Sequence, residues 1–117
     1  MTELIIDTDV FIDHLRGARP LVLIENAAYS SITRAELFAG PEREEMLVEA
    51  ILGPYAEISV DRQIARRAGR LSRTTHLAIP DALIAATALE QGVPLLTRNV
   101  RDFGRVADLQ LRDPATL

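Results

Sequence analysis

The chain predicts an α/β fold: a mostly parallel sheet covered by helices on both sides. Three observations carry this. Short apolar, β-branched runs alternate with helical rhythms from end to end. Glycines close the helical segments. The 117 residues suffice for one core and not for two, so a single domain over residues 1–117 is expected, with three layers.

Each element has its own warrant. ELIID opens the chain as a short buried strand, and TDVFIDHLRG follows as a helix closed by Gly17. PLVLIENA reads as another short helix, with Pro20 in its first turn, and AYSSI as a second strand. TRAELFAG opens a third helix. After Gly40-Pro41, EREEMLVEAILG continues in helical rhythm with Met46, Leu47, Ala50 and Ile51 as its apolar stripe, and Gly53-Pro54 ends it. YAEISV predicts a short strand or extended connector, with Asp61 capping an arginine-bearing helix. DALIAATALEQG is the clearest helix, preceded by Pro80 and stopped by Gly92; its Ala82, Ala85, Ala86 and Ala88 allow close approach to the sheet. VPLLT gives a further strand, NVRDFGRV a helical turn and LQLRD a terminal strand.

Composition excludes several classes. An apolar share of 48% is too rich for a disordered chain. No basic region precedes a long apolar run, so neither a signal peptide nor a membrane span is suggested. Cysteine is absent, which removes disulfides and thiolate metal sites and makes the cytoplasm the expected location. The formal charge is −4, yet all thirteen basic residues are arginine, so no amine nucleophile or lysine phosphate clamp exists. Five arginines lie in DRQIARRAGRLSR. Such a run is ordinarily a solvated helix face, although arginines gathered on one face let a net-acidic protein bind nucleic acid.

Four acids stand where a strand ends or a helix begins: Asp7, Glu36, Asp81 and Asp102. In a parallel sheet those positions share one edge, where open α/β sheets bind ligands. Each acid also has a structural reading. Asp7 and Asp102 suit caps, Glu36 fits a capping box with Thr33, and Asp81 complements a helix dipole. Capping does not require four acids on one edge, however. Carboxylates without a fixed cation among them favour a divalent ion, magnesium (Mg2+) or manganese, over zinc, because His14 and His76 are isolated.

Taken together, LIIDTDVFIDHLRG, SSITRAELFAG and IPDALIAATALEQGVPLLTRNVRDF resemble the PIN-domain ribonucleases, and within them the VapC-type toxins of toxin–antitoxin pairs. The match runs nearly the whole chain. It implies a PIN-like nuclease domain in which Asp7, Glu36, Asp81 and Asp102 are catalytic and bind Mg2+ or Mn2+ around the scissile phosphate. Thr97 and Asn99 match the Thr-x-Asn positions expected to orient acids or water. Asp9 adds charge or caps, Asp13 belongs to the surface, and Arg98 and Arg101 lie near enough for an RNA phosphate. The resemblance also implies an RNA substrate, a homodimer, and a VapB-type antitoxin that silences the site within a heterotetramer or larger assembly. Hydrolysis would leave a 5′ phosphate and a 3′ hydroxyl.

Two other classes compete. LIIDTDVF also satisfies the D-x-D-x-V opening of haloacid-dehalogenase-like phosphatases, with Asp7 as nucleophile and Asp9 as general acid. That fold is usually longer, and neither a lysine nor a later paired-aspartate motif is present; a phospho-accepting receiver domain likewise needs the missing lysine. A non-catalytic binding module, its carboxylates serving only as caps, is the remaining alternative.

Overall fold

The computed structural model describes residues Met1–Leu117. Strand β1 (Leu4–Ile6) has three apolar residues, all buried. Successive side chains of a strand point to opposite faces. Leu4 and Ile6 accordingly enter one apolar cluster and Ile5 the other. Only a sheet covered on both sides can bury such a strand.

Four further strands complete the sheet: β2 (Ala27–Ser30), β3 (Ala56–Ile58), β4 (Leu95–Leu96) and β5 (Leu111–Arg112). Their order is β3-β2-β1-β4-β5 and every pairing is parallel. The chain builds outward from β1 in one direction, then returns to its other side with β4. The topological switch point therefore lies between β1 and β4, and ligand crevices of open α/β sheets form at such points.

Helices α1 (Thr8–Leu15), α2 (Ser31–Phe38) and α3 (Glu45–Leu52) cover one face, placing Val10, Phe11, Leu37, Val48 and Leu52 beside Leu4, Ile6 and Tyr29. Phe11 meets Tyr29 and Tyr55 edge-on, with both ring-centroid distances 5.9 Å. Helices α4 (Arg62–Thr75) and α5 (Ile79–Gln91) cover the other face, and the short α6 (Val100–Phe103) adds Phe103 there. Helix α5 has Ala82, Ala85, Ala86 and Ala88 fully buried, so its backbone lies close to both the sheet and α4. Gly92, at φ +68, ends it in the left-handed conformation that glycine adopts without a side-chain clash.

Two expectations fail. PLVLIENA is not a helix: residues 20–24 have no regular structure. Leu21 and Ile24 do pack on the core, three apart as a helix would place them. The Leu21 N–H, however, donates to His14 Nδ1 at 2.8 Å, a side-chain partner that replaces a helical carbonyl. The stripe of α3 is also rotated. Met46 and Leu47 are exposed, while Val48 and Leu52 are buried with Ile51 beside them. Residues 42–44 form a separate 3-10 turn ahead of α3, which resets the register assumed for one continuous helix.

Close approach of α5 makes a size prediction. Ala85→Leu should lower stability by about 1–3 kcal/mol, because a larger side chain has no space to enter. Chemical denaturation with an unchanged m-value would check it.

Candidate active site

Asp7 follows β1 and Thr97 follows β4, one on each side of the switch point. Both are buried. Thr97 Oγ1 donates to Asp7 Oδ2 at 2.7 Å, and the Thr8 N–H donates to Asp7 Oδ1 at 2.8 Å. Asp7 is thus the cap of α1 and a member of the crevice at once. Thr97 Oγ1 also lies 3.3 Å from Asp9 Oδ2 and accepts the Asn99 N–H at 2.9 Å. Asp9 further accepts the Arg98 N–H at 3.4 Å, so its carboxylate turns across the crevice toward the β4 end.

Glu36 has a different setting from the one its spacing suggests. Ser30, not Thr33, caps α2, its side chain accepting the Ile32 N–H. Glu36 therefore lies beyond the first turn and closes no capping box. Its Oε1 instead accepts from Thr8 Oγ1 at 2.7 Å. Thr8 Oγ1 also lies 2.8 Å from Thr33 Oγ1. A hydroxyl has one proton, so Thr33 donates to Thr8 while Thr8 donates to Glu36. The sequence suggests Thr33 only as a cap and gives no sign of this relay beyond a hydroxyl residue directly after the strand-end acid.

Asp81 stands in the first turn of α5, whose N-cap Ala78 offers no side-chain bond. Burial, then Glu36, Asp102 and Asp9, raises its carboxyl above the usual range, with no hydrogen bond offsetting the shift. Asp102 is at the rim: Asn99 Nδ2 donates to it at 3.1 Å, and Arg105 pairs with it at 3.2 Å. Asn99 Oδ1 in turn accepts the Asp102 N–H at 3.3 Å and caps α6. Arg98 lines the crevice but directs its guanidinium to Asp13 at 3.3 Å. Asp13 is consequently a partly buried ion-pair partner, not the plain surface residue expected. Arg101 is exposed and outside the lining.

A cavity of about 460 Å³ joins these parts, lined by Asp7, Asp9, Glu36, Asp81, Arg98 and Asn99 together with Thr8 and Ile12. Burial, then the charge of Asp9, pushes the Asp7 carboxyl up to about 8; Asp81 adds to the rise, while the Thr97 and Thr8 bonds oppose it. Hard oxygen donors with uncompensated charge are the donor set for Mg2+ or Mn2+. No three of them form a closed cage as placed.

This crevice and sheet order define a class. The PIN domain family matches residues 4–109. The chain is 38% identical to Ribonuclease VapC19 of Mycobacterium tuberculosis, with 91% of this chain and 96% of that protein covered. Among solved structures, a toxin–antitoxin complex from Klebsiella pneumoniae is similar at TM-score 0.78 and 29% identity, covering 92% of this chain and 95% of that one. DNA-bound VapBC from Salmonella typhimurium is similar at TM-score 0.82 and 25% identity, covering 97% and 98%. The chain belongs to the PIN-domain family and, within it, to the VapC ribonucleases.

The raised Asp7 carboxyl has a consequence for stability. Between its ordinary value of 3.8 and about 8, the folded state holds a proton that the unfolded state has released. Stability of the metal-free protein should therefore fall as pH rises through that window. Asp7→Asn should flatten the slope, its melting temperature diverging upward from wild type toward pH 8. Thermal melts in chelator across pH 5–8 would check both.

Proposed function

We propose that this chain is a metal-dependent endoribonuclease toxin that hydrolyses RNA phosphodiester bonds and is neutralised by a VapB-type antitoxin. The observation that carries the reading is the meeting of Asp7, Asp9, Glu36 and Asp81 in one crevice of a PIN fold. Kinship with a VapC ribonuclease supports the reaction, and the solved toxin–antitoxin and VapBC complexes support the partner and larger assemblies. A homodimer is part of the same reading. No helix is long and apolar enough to cross a membrane. The phosphatase and receiver alternatives give way to the family match.

Asp7, Glu36, Asp81 and Asp102 would hold Mg2+ or Mn2+. When bound, the ion supplies an acidified water and positive charge for the developing oxyanion. The protein's own residues keep the carboxylates aimed. Thr97 and the Thr8 N–H fix Asp7, the Thr33–Thr8 relay fixes Glu36, and Asn99 with Arg105 fixes Asp102. Asp81 contributes charge without a tether. Arg98, with its side chain 65% exposed, can leave Asp13 for an incoming phosphate. Water oxygen bonds to phosphorus as the bond to the 3′ oxygen breaks, and that oxygen leaves as a hydroxyl.

Asp81→Asn should lower RNA cleavage at least about 100-fold by removing crevice charge. The fold should persist, since the substitution also removes buried repulsion. Cleavage assays beside circular dichroism would check this, and unchanged activity would overturn Asp81's role. Chelator-treated protein should regain activity with Mg2+ or Mn2+ but not with calcium, whose larger, looser shell suits the site poorly. Equal rescue by all three ions would refute the proposed metal site.

A further inference from the structure

The arginines of α4 take no part in the site described above, and their arrangement is not that of a scattered solvated face. This fourteen-residue helix carries Arg62, Arg66, Arg67, Arg70 and Arg73 and no acid, within a chain of net charge −4. Arg67 pairs with Glu90 of α5 at 2.7 Å. The other four are exposed and form no ion pair. At 3.6 residues per turn they fall within about 80° of one another, opposite the buried Ile64 and Ala68, and span about 16 Å along the axis.

The last arginine of the stripe, Arg73, lies in the final turn of α4, whose last residue, Thr75, on the face opposite the stripe, accepts from Arg105 Nη1 through its carbonyl at 3.1 Å. The same guanidinium reaches Asp102 through Nη2 at 3.2 Å. Arg105 thus joins the end of the basic helix to the rim of the acidic crevice. An acidic crevice repels the phosphates it must receive, and free guanidiniums on a neighbouring helix offset that repulsion outside the reacting centre.

We propose that the exposed face of α4 is the track on which single-stranded RNA outside the scissile step lies, its phosphates paired with Arg62, Arg66, Arg70 and Arg73. The proposal rests on the ribonuclease reading for its choice of RNA. Aromatic residues are only 4% of the chain, so phosphate contact rather than base stacking supplies the grip, and the track is indifferent to sequence.

The test compares wild type with Arg66→Gln/Arg70→Gln/Arg73→Gln and with a control of equal charge, Arg19→Gln/Arg43→Gln/Arg112→Gln. All six positions are exposed, and circular dichroism verifies folding. Fluorescence anisotropy measures binding of a labelled single-stranded RNA long enough to cover the stripe, across a salt series. Cleavage kinetics use that RNA and a short one that reaches only the crevice. The α4 variant should bind the long RNA about ten-fold more weakly, with a salt slope shallower by about 2. Its KM for the long RNA should rise while kcat and short-RNA cleavage stay unchanged. An α4 variant equal to wild type, or no weaker than the control, overturns the track even if the protein cleaves RNA. Stripe-dependent binding without any cleavage keeps the track and overturns the nuclease reading instead. Loss of antitoxin binding alone, with RNA binding intact, assigns the stripe to a protein partner and refutes the proposal.

Discussion

The hydrogen bond from Thr97 to Asp7 closes the sheet's switch point, and the rest of the site is referred to it. β1 and β4 adjoin, but the chain between them makes β2, β3 and five helices. One 2.7 Å contact therefore links residues ninety positions apart, at the edge where the two halves of the sheet diverge. Burial holds Asp7 in a place where its charge is unfavourable. The Thr97 hydroxyl and the Thr8 N–H supply the compensation that keeps it there.

The two-sided core makes that arrangement rigid. Ile5 anchors β1 against the α4–α5 side, while Leu4 and Ile6 anchor it against α1–α3. A slip of one residue would exchange these faces and carry Asp7 away from Thr97. Buried alanines then bring α5 close enough for its first turn to place Asp81 near Asp9, Glu36 and Asp102. Packing and chemistry are coupled through a few short elements; β4 has only two residues, and the site leans on both its strand pairs.

What was legible in the residues follows the length scale of each signal. Strand ends, the alanine-rich helix and its Gly92 stop are local features, and they emerge as expected. PLVLIENA departs from a helix because apolar spacing also fits an irregular segment pinned by the His14 side chain, a partner that the spacing does not reveal. Glu36 illustrates the same limit differently. Its position near a helix start was evident, but Ser30 took the cap, so the meaning of Thr33 changed from cap to hydroxyl relay. Asp102 joins the other acids in the sequence by its strand-end position and by the family resemblance, and the fold places it at the rim, tied to Asn99 and Arg105. The ion pair of Asp13 is invisible in the sequence because its partner, Arg98, is remote along the chain.

The choice of supporting groups argues for what the crevice is built to receive. A fold concerned only with tolerating buried acids would neutralise them with arginine, the most suitable buried counter-ion. Here the groups touching Asp7 and Glu36 are hydroxyls and backbone N–H groups, which orient a carboxyl group without placing a positive charge in the crevice. Nearby guanidiniums are directed elsewhere, Arg98 to Asp13 and Arg105 to the rim. Four of the nine arginines that form no ion pair lie along α4, outside the pocket. Acidic groups are thus gathered inside the crevice and unpaired positive charge is kept outside it. That separation suits a site where a cation must enter the centre and a polyanion must be held at its margin.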